Sequence, residues 1–574
     1  MEGIIMKLRK HLAILIGILI FSLGCAPTQK IAQKKSTGEI IAQKVVPSQL
    51  KIYPDKSTGK RYDQYSAIVL IGKIATMDED ENREIQVIDN GKVIIVGEKI
   101  DTILLDGQKF PPDLDSTGAI FLNTHGIIFP GLVNAHDHVH YNLIGIWDAP
   151  KKYTNRYQWP QNKGMRVDVK YAKYVAQDKK YFGIQAEAMK YAEVKQLISG
   201  TTAVQGAPNG AKKFCNILVR NMDVSPNFGF KRMSPYVRDV TKVKDDKIQR
   251  WLDKMNEGKL DALFFHIAEG TDDVARNEFD FLVEHGLGRK ETIIIHGTAL
   301  DEEQIRYMSD HDMSVIWSPV SNLLLYGETA DIPTYYEDGV NICLGTDWSP
   351  SGGKNLLDEL KIAYEYNKTN FGGILSYEDM AKFVTCNPAD AIGWKDYCGR
   401  IKSGLYADIM VISDNKTNPF EALVDATERD VELVFIGGDP LYGDSIFMAK
   451  LKPGDFEYIK TPCGFTKCLD FTKNDVQLGN QTFEYVVSIL QKALSFDPDY
   501  MEQKFHDKRI QNYDSFDDYL DAKFSGYHPV QLDPIYACMD TYFFDALRNS
   551  KNANLSFDIQ KIYYSWVPDS VLKK

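Results

Sequence analysis

Four short apolar runs in this sequence finish on a histidine or an aspartate. Gly126 to Asn142 reads GIIFPGLVNAHDHVHYN, an apolar lead-in followed by His136-Asp137-His138. Ala262-Leu263-Phe264-Phe265 ends in His266, Thr292-Ile293-Ile294-Ile295 ends in His296, and Asn341 to Thr346 ends in Asp347. The chain has 11 histidines, and four of them stand at these run ends. A short apolar run bounded by turn residues reads as a buried strand. Alternate side chains of a strand share a face, so a strand continued through His136 aims His136 and His138 one way and Asp137 the other. A fold that gathers the ends of several strands would therefore gather imidazoles and a carboxylate at one place.

The intervals between the runs carry helical patterns, at Tyr181 to Leu197, Asp245 to Asn256, Ala275 to His285, Asp301 to Ser309 and Asn355 to Asn367. Further strand-like runs are Thr201 to Gln205 and Ser314 to Ser318. Strand and helix alternating over ~250 residues is the size and pattern of a (β/α)8 TIM barrel, with a doubly wound sheet as the alternative. In such a barrel the chemistry sits at the C-terminal strand ends. Two more strands are required between Ala207 and Lys259, and Asn216 to Asn221 and Phe228 to Pro235 are the candidates. Ala67 to Gly72, Val93 to Gly97, Ala407 to Ile412 and Val431 to Gly438 are further apolar runs outside this region. They predict a small β-sandwich built from segments 63–125 and 395–449, flanking a barrel at 126–394, with a C-terminal extension at 450–574.

The first residues read differently. Met6 to Lys10 is basic, Leu12 to Leu23 is almost wholly apolar, and Gly24-Cys25 follows. This is the pattern of a secretory signal over residues 1–25, too short to span a bilayer, which takes ~20 apolar residues. Ser22-Leu23-Gly24-Cys25 resembles a lipobox, so Cys25 is the candidate lipidation site. Residues 26–62 read as a solvated tether. The expected location is secreted or cell-envelope, with the chain lipid-anchored to a bacterial membrane. Cys463 and Cys468 are close enough in sequence to pair there, and Cys215, Cys343, Cys386 and Cys398 read as small buried hydrophobes. The formal net charge of -12 argues against binding to a nucleic-acid backbone.

Three histidines and a carboxylate suit one divalent metal ion that retains room for water. Metal-coordinated water has its pKa lowered towards ~7 and becomes a hydroxide nucleophile. Glu269, three residues past His266, could carry a proton from that water to a leaving nitrogen.

At these residues the chain resembles the amidohydrolase superfamily. The matching pieces, in order, are PGLVNAHDH (Pro130 to His138), SGTTAV (Ser199 to Val204), HIAE (His266 to Glu269), IHGTALD (Ile295 to Asp301), SPVSN (Ser318 to Asn322), GTDWSPSG (Gly345 to Gly352), NPADAIG (Asn387 to Gly393) and GRIKSGLYADIMVI (Gly399 to Ile412). His266-x-x-Glu269 looks like the branch that holds cytosine, guanine and adenosine-type deaminases and the triazine hydrolases. The resemblance implies that His136, His138, His266 and Asp347 bind one divalent metal, zinc ahead of iron. It implies that Asp347 also takes a proton, that His296 orients or polarises, and that Glu269 protonates a ring nitrogen. The activity it implies is metal-dependent hydrolysis of a C–N bond that is not a peptide bond, by deamination of an amino-substituted heterocycle. An amide, lactam or chloro-ring substrate is the alternative, and an inactive ligand-binding lipoprotein a more remote one. The partners implied are a small-molecule substrate, no nucleic acid, and the membrane only through a lipid anchor; a homo-oligomer is compatible. Trp348 to Gly352 and the short interval before HIAE depart from the deaminase pattern. His140 and Asn322 are expected to serve the pocket wall and a loop, respectively.

Overall fold

A computed structural model describes residues 67–563, except 83, 113, 115–117, 180–181, 225–226, 229–231, 472–480, 506–511, 524–528 and 539. The apolar leader, Cys25 and the tether at 26–62 lie outside the described residues. Among the described residues no helix is long and apolar enough to cross a membrane.

In chain order the strands begin with β1 (Ala67–Glu79), β2 (Ile85–Val96), β3 (Lys99–Leu104) and β4 (Ile120–Pro130). Next come β5 (Leu132–Asn134), β6 (Thr201–Val204), β7 (Arg220–Asn221), β8 (Met233–Tyr236), β9 (Ala262–Ile267), β10 (Thr292–His296), β11 (Ser314–Trp317) and β12 (Asn341–Leu344). The last are β13 (Ile409–Ser413), β14 (Val431–Ile436), β15 (Asp439–Gly443), β16 (Glu457–Lys460) and β17 (Thr466–Leu469).

β5 to β12 form the barrel. They are parallel, in a three-stranded arc β5-β6-β7 and a five-stranded arc β12-β11-β10-β9-β8. The arcs join where the first strand meets the last. Ala135 N donates to Leu344 O at 3.2 Å, Asp347 N to His136 O at 3.0 Å, and His138 N to Asp347 O at 2.7 Å. Continuous apolar runs make these strands, and burial on both faces is what such runs require. The helices between them cover the outside. Asp245–Asn256, for example, turns Ile248, Trp251 and Met255 inward, one stripe at helical spacing.

Two strands are not where the sequence puts them. The one expected at Asn216 to Asn221 shrinks to Arg220–Asn221. Its backbone donors go elsewhere: Glu193 accepts from Asn216 N (2.6 Å), Ile217 N (3.0 Å), Leu218 N (2.5 Å) and Val219 N (3.2 Å). A segment whose amides bind a buried carboxylate cannot also offer them to a ladder. The next strand lies at Met233–Tyr236, reaching one residue past the end expected at Pro235.

The flanking segments meet in one continuous nine-stranded sheet, ordered β16-β17-β15-β14-β13-β4-β1-β2-β3. β4 joins the two halves, parallel to β1 and antiparallel to β13. Its far end, Pro130, lies only two residues from the first barrel strand, so the sheet runs past residue 126 and fixes the start of β5. β16 and β17 come from the extension, beyond residue 449.

The expected Cys463–Cys468 pairing does not form; Cys463 bonds Cys538. Cys468 lies on β17 and packs into the sheet's core with Leu433 and Phe435. Cys463 sits in the turn between β16 and β17, beside Phe465, which stacks edge-on against Tyr536. Cys215, Cys343, Cys386 and Cys398 are free and buried.

Candidate active site

The strand ends converge as the spacing requires. One ligand atom from each of His136, His266, His296 and Asp347 falls within 4.8 Å of the others. His138 borders the same point, with Nε2 3.4 Å from Asp347 Oδ1 and 3.3 Å from His266 Nε2. Asp137 points away and accepts from Asn142, Gln196 and Thr346. Two of the gathered residues have a strained backbone: His296 has φ 76° and Asp347 φ 59°. A non-glycine residue held there costs ~1–3 kcal/mol, and such strain collects at functional sites. Gly206, at the end of β6, has φ 120°, and a Cβ on it would lie 1.7 Å from Asp137 O. Only glycine lets this strand end approach the His136–His138 turn so closely.

The hydrogen bonds behind the imidazoles divide their roles. Gln205 donates its Nε2 to Asp223 at 3.1 Å, which turns its Oε1 to His136 Nδ1 at 3.0 Å. Nδ1 must then carry the proton, leaving the Nε2 lone pair free to ligate. That Nε2 lies 3.2 Å from Asp347 Oδ1 but without hydrogen-bond geometry, and it is buried with no hydrogen-bond partner. His296 is arranged the other way. Asn322 accepts from Thr329 at its Oδ1 and presents its Nδ2 to His296 Nδ1 at 3.1 Å. Nδ1 accepts, so in the neutral ring the proton is on Nε2, a donor aimed into the site. Burial pushes His138 and His296 down to about 3, which keeps both neutral at physiological pH. Burial raises Asp347, but the close approach of His136 outweighs this and brings it to about 2. Burial lowers His136 as well, but Asp347 outweighs it and draws that imidazole upward. A neutral His138 beside an ionised Asp347 has the protonation state a divalent cation needs. His136, His138, His266 and Asp347 therefore fit a divalent ion, while His296 fits a hydrogen-bond donor beside it.

Glu269 enters the same space. Ala268, between it and His266, has φ 54°, and this turn swings the carboxyl inward. Tyr326 OH donates to Glu269 Oε1 at 2.7 Å, Arg156 Nη1 stands 3.6 Å from Oε2, and His296 Nε2 also 3.6 Å from Oε2. Burial raises the carboxyl to about 7, with Arg156 pulling the other way. A carboxyl near neutrality is suited to taking up and giving back one proton.

A cavity of about 700 Å³ opens over this group. Tyr141, Trp159 and Trp348 form its aromatic wall, Trp348 lying 4.8 Å from Tyr141 and 5.2 Å from Trp159, centroid to centroid. Trp348, part of the departure from the deaminase pattern, thus has a place. Sequence reading missed Gln205, Arg156 and Tyr326, and it gave Asn322 a loop role although Asn322 also orients His296. Gln205 carried a usable signal, since it follows an apolar run as the other site residues do. Arg156 and Tyr326 arrive from a loop and a helix with no such mark.

The family model described as "Amidohydrolase family" matches residues 264–441. Over those residues, less than half of the chain, it is similar to that family. The chain is 24% identical over 363 residues to a 5-methylthioadenosine/S-adenosylhomocysteine deaminase of Pyrococcus furiosus, covering 56% of this chain and 85% of that one. It is 25% identical over 362 residues to a 5'-deoxyadenosine deaminase of Methanopyrus kandleri, covering 56% and 82%. Its fold is similar to that of a triazine hydrolase variant, with TM-score 0.53, 18% identity, and 66% and 94% of the two chains covered. It is also similar to that of a Xanthomonas campestris adenosine deaminase with bound zinc, with TM-score 0.52, 18% identity, and 65% and 92% covered.

Proposed function

We propose that this chain is a metal-dependent hydrolase of the amidohydrolase family that deaminates an amino-substituted heterocycle, with zinc favoured over iron. The observation that carries the reading is Glu269: a buried carboxyl beside the imidazole cluster, clamped by Tyr326 and Arg156. Deaminase names among the relatives and a zinc-bearing neighbour support it. When bound, a divalent ion supplies Lewis acidity that makes water nucleophilic at neutral pH. Glu269 takes the first proton of the water and delivers it to the ring nitrogen as the oxygen adds to the amino-bearing carbon. His296 Nε2–H holds the adding oxygen. Asp347 receives the second proton of that water and returns it to the departing amine, so heterocycle and water become the oxo-heterocycle and ammonia. The aromatic wall stacks on the ring and excludes bulk water.

Ammonia release from metal-loaded protein, over a panel of aminopurines, aminopyrimidines, amides and chlorinated triazines, tests this. Turnover confined to the amino-heterocycles is expected; turnover of amides or chloro-rings alone would overturn deamination. We also propose, from the sequence signal, that Cys25 carries a lipid. A palmitate analogue should label the chain in a bacterial host, and labelling that survives Cys25→Ala would refute the site.

A further inference from the structure

The cavity holds groups that the deamination reading does not use. Three charged side chains of the cavity lining are spent. Asp223 accepts from Gln205 and from the amides of Gly206 and Ala207. Asp239 caps Thr241 and pairs with Lys242. Arg156 serves Glu269 and also donates to Val237 O.

Lys173 is different. It lines the cavity from the helix Tyr171–Gln177, and its Nζ lies 4.9 Å from the centre of the Tyr141 ring. Among the described residues no carboxylate stands within ion-pair distance of it. Gln177, one helical turn on, lines the cavity as well. Lys173 is half-buried, so its ammonium is open to the cavity, while its only contact there among the described residues is the Tyr141 ring face. A cation without a carboxylate partner in a cavity wall is a group that an anion can meet in a charge-assisted hydrogen bond.

We propose that Lys173 Nζ forms a subsite for an anionic substituent of the substrate, a carboxylate or a phosphate. This deepens the deaminase reading and rests on it. The Tyr141 ring lies 6.3 Å from His138 and is capped by Lys173. The anion would thus lie on the Tyr141 side of the cavity. The substrate is then an amino-heterocycle stacked on the aromatic wall with a charged arm. Gln177 offers its amide to the same arm.

The test compares three substrates that share an adenine ring: neutral 5'-deoxyadenosine, S-adenosylhomocysteine with its carboxylate, and adenosine 5'-monophosphate. Wild type should favour one of the charged pair by at least tenfold in kcat/KM, and the preference should shrink as ionic strength rises. In Lys173→Met the charged-to-neutral ratio should fall ten- to hundredfold, with Lys173→Arg recovering most of it. The carboxylate and phosphate arms tell which anion is read. A neutral substrate preferred by wild type, or equal losses on charged and neutral substrates, would overturn the subsite. Should no adenine be deaminated, calorimetric binding of the same trio to metal-loaded protein isolates this proposal from the deaminase one. Tighter binding of a charged member, lost in Lys173→Met, sustains the subsite, and equal affinities refute it.

Discussion

Glu269 is held from both sides, by a phenol at one oxygen and a guanidinium near the other, so it can change protonation without moving. Glu269→Gln keeps the shape and removes the proton exchange. It should lower kcat by ~10²–10⁴-fold, the usual size of a general acid–base contribution, while metal content per chain stays at the wild-type value. Steady-state ammonia release with elemental analysis checks both, and a kcat within tenfold of wild type would contradict the role. Tyr326→Phe removes one hydrogen bond to that carboxyl and leaves the ring in place. A hydrogen bond to a charged group is worth about 1.5–3 kcal/mol, so kcat should fall by roughly ten- to hundredfold with KM altered far less. The histidines and Asp347 were legible because each ends an apolar run, and that position has meaning in a barrel. Tyr326 was not, because it is eight residues past Ser318 on a helix whose every residue is buried, and burial alone gives a tyrosine no role.

The C-terminal extension is the element that sequence placed least well, marked only by its bounds, 450–574. It is built into the barrel. Its helix Phe483–Leu494 stacks Phe483 on Tyr191 of the helix Gln185–Leu197, 5.9 Å between ring centres. Asp533 reaches two buried lysines, Lys195 at 2.5 Å and Lys354 at 2.7 Å. Lys195 in turn donates to Ser349 Oγ at 2.7 Å and Asn142 O at 3.3 Å, in the loops that follow Asp347 and His138. Nothing in the local pattern could announce this, since Asp533 lies 338 positions from Lys195 and 179 from Lys354. Burial pushes the Asp533 carboxyl up, but Lys195 and Lys354 outweigh it and hold it below the ordinary value of 3.8. A depressed carboxyl contributes stability that is present above its unfolded pKa and lost as pH falls through the folded one. Asp533→Asn leaves Lys195 buried without its anion, while Lys354 keeps Asp540 at 2.6 Å, and should cost about 3–5 kcal/mol at pH 7. The gap in Tm from wild type should persist down to about pH 4 and narrow below it. A gap that grows towards acid would contradict the pairing.

At the scale of the whole molecule, a nine-stranded sheet built from both flanks delivers the chain into the first barrel strand. The last barrel strand then returns beside the first, so that Asp347 N donates to His136 O and Asp347 O accepts from His138 N. The alternation of strands and helices made this architecture readable, because the period of the apolar residues sets each element. The thin region between β6 and β9 was not readable, since Glu193 rather than a neighbouring strand takes the backbone amides there. The account rests on these separate strand ends enclosing one cation. Elemental analysis of protein purified without chelator and reloaded with zinc tests it most directly. One tightly held ion per chain is expected for the wild type, and less than about a tenth of that for His136→Ala and for Asp347→Ala, both still folded by circular dichroism. Wild-type protein that takes up no ion, or variants that keep a full complement, would contradict it.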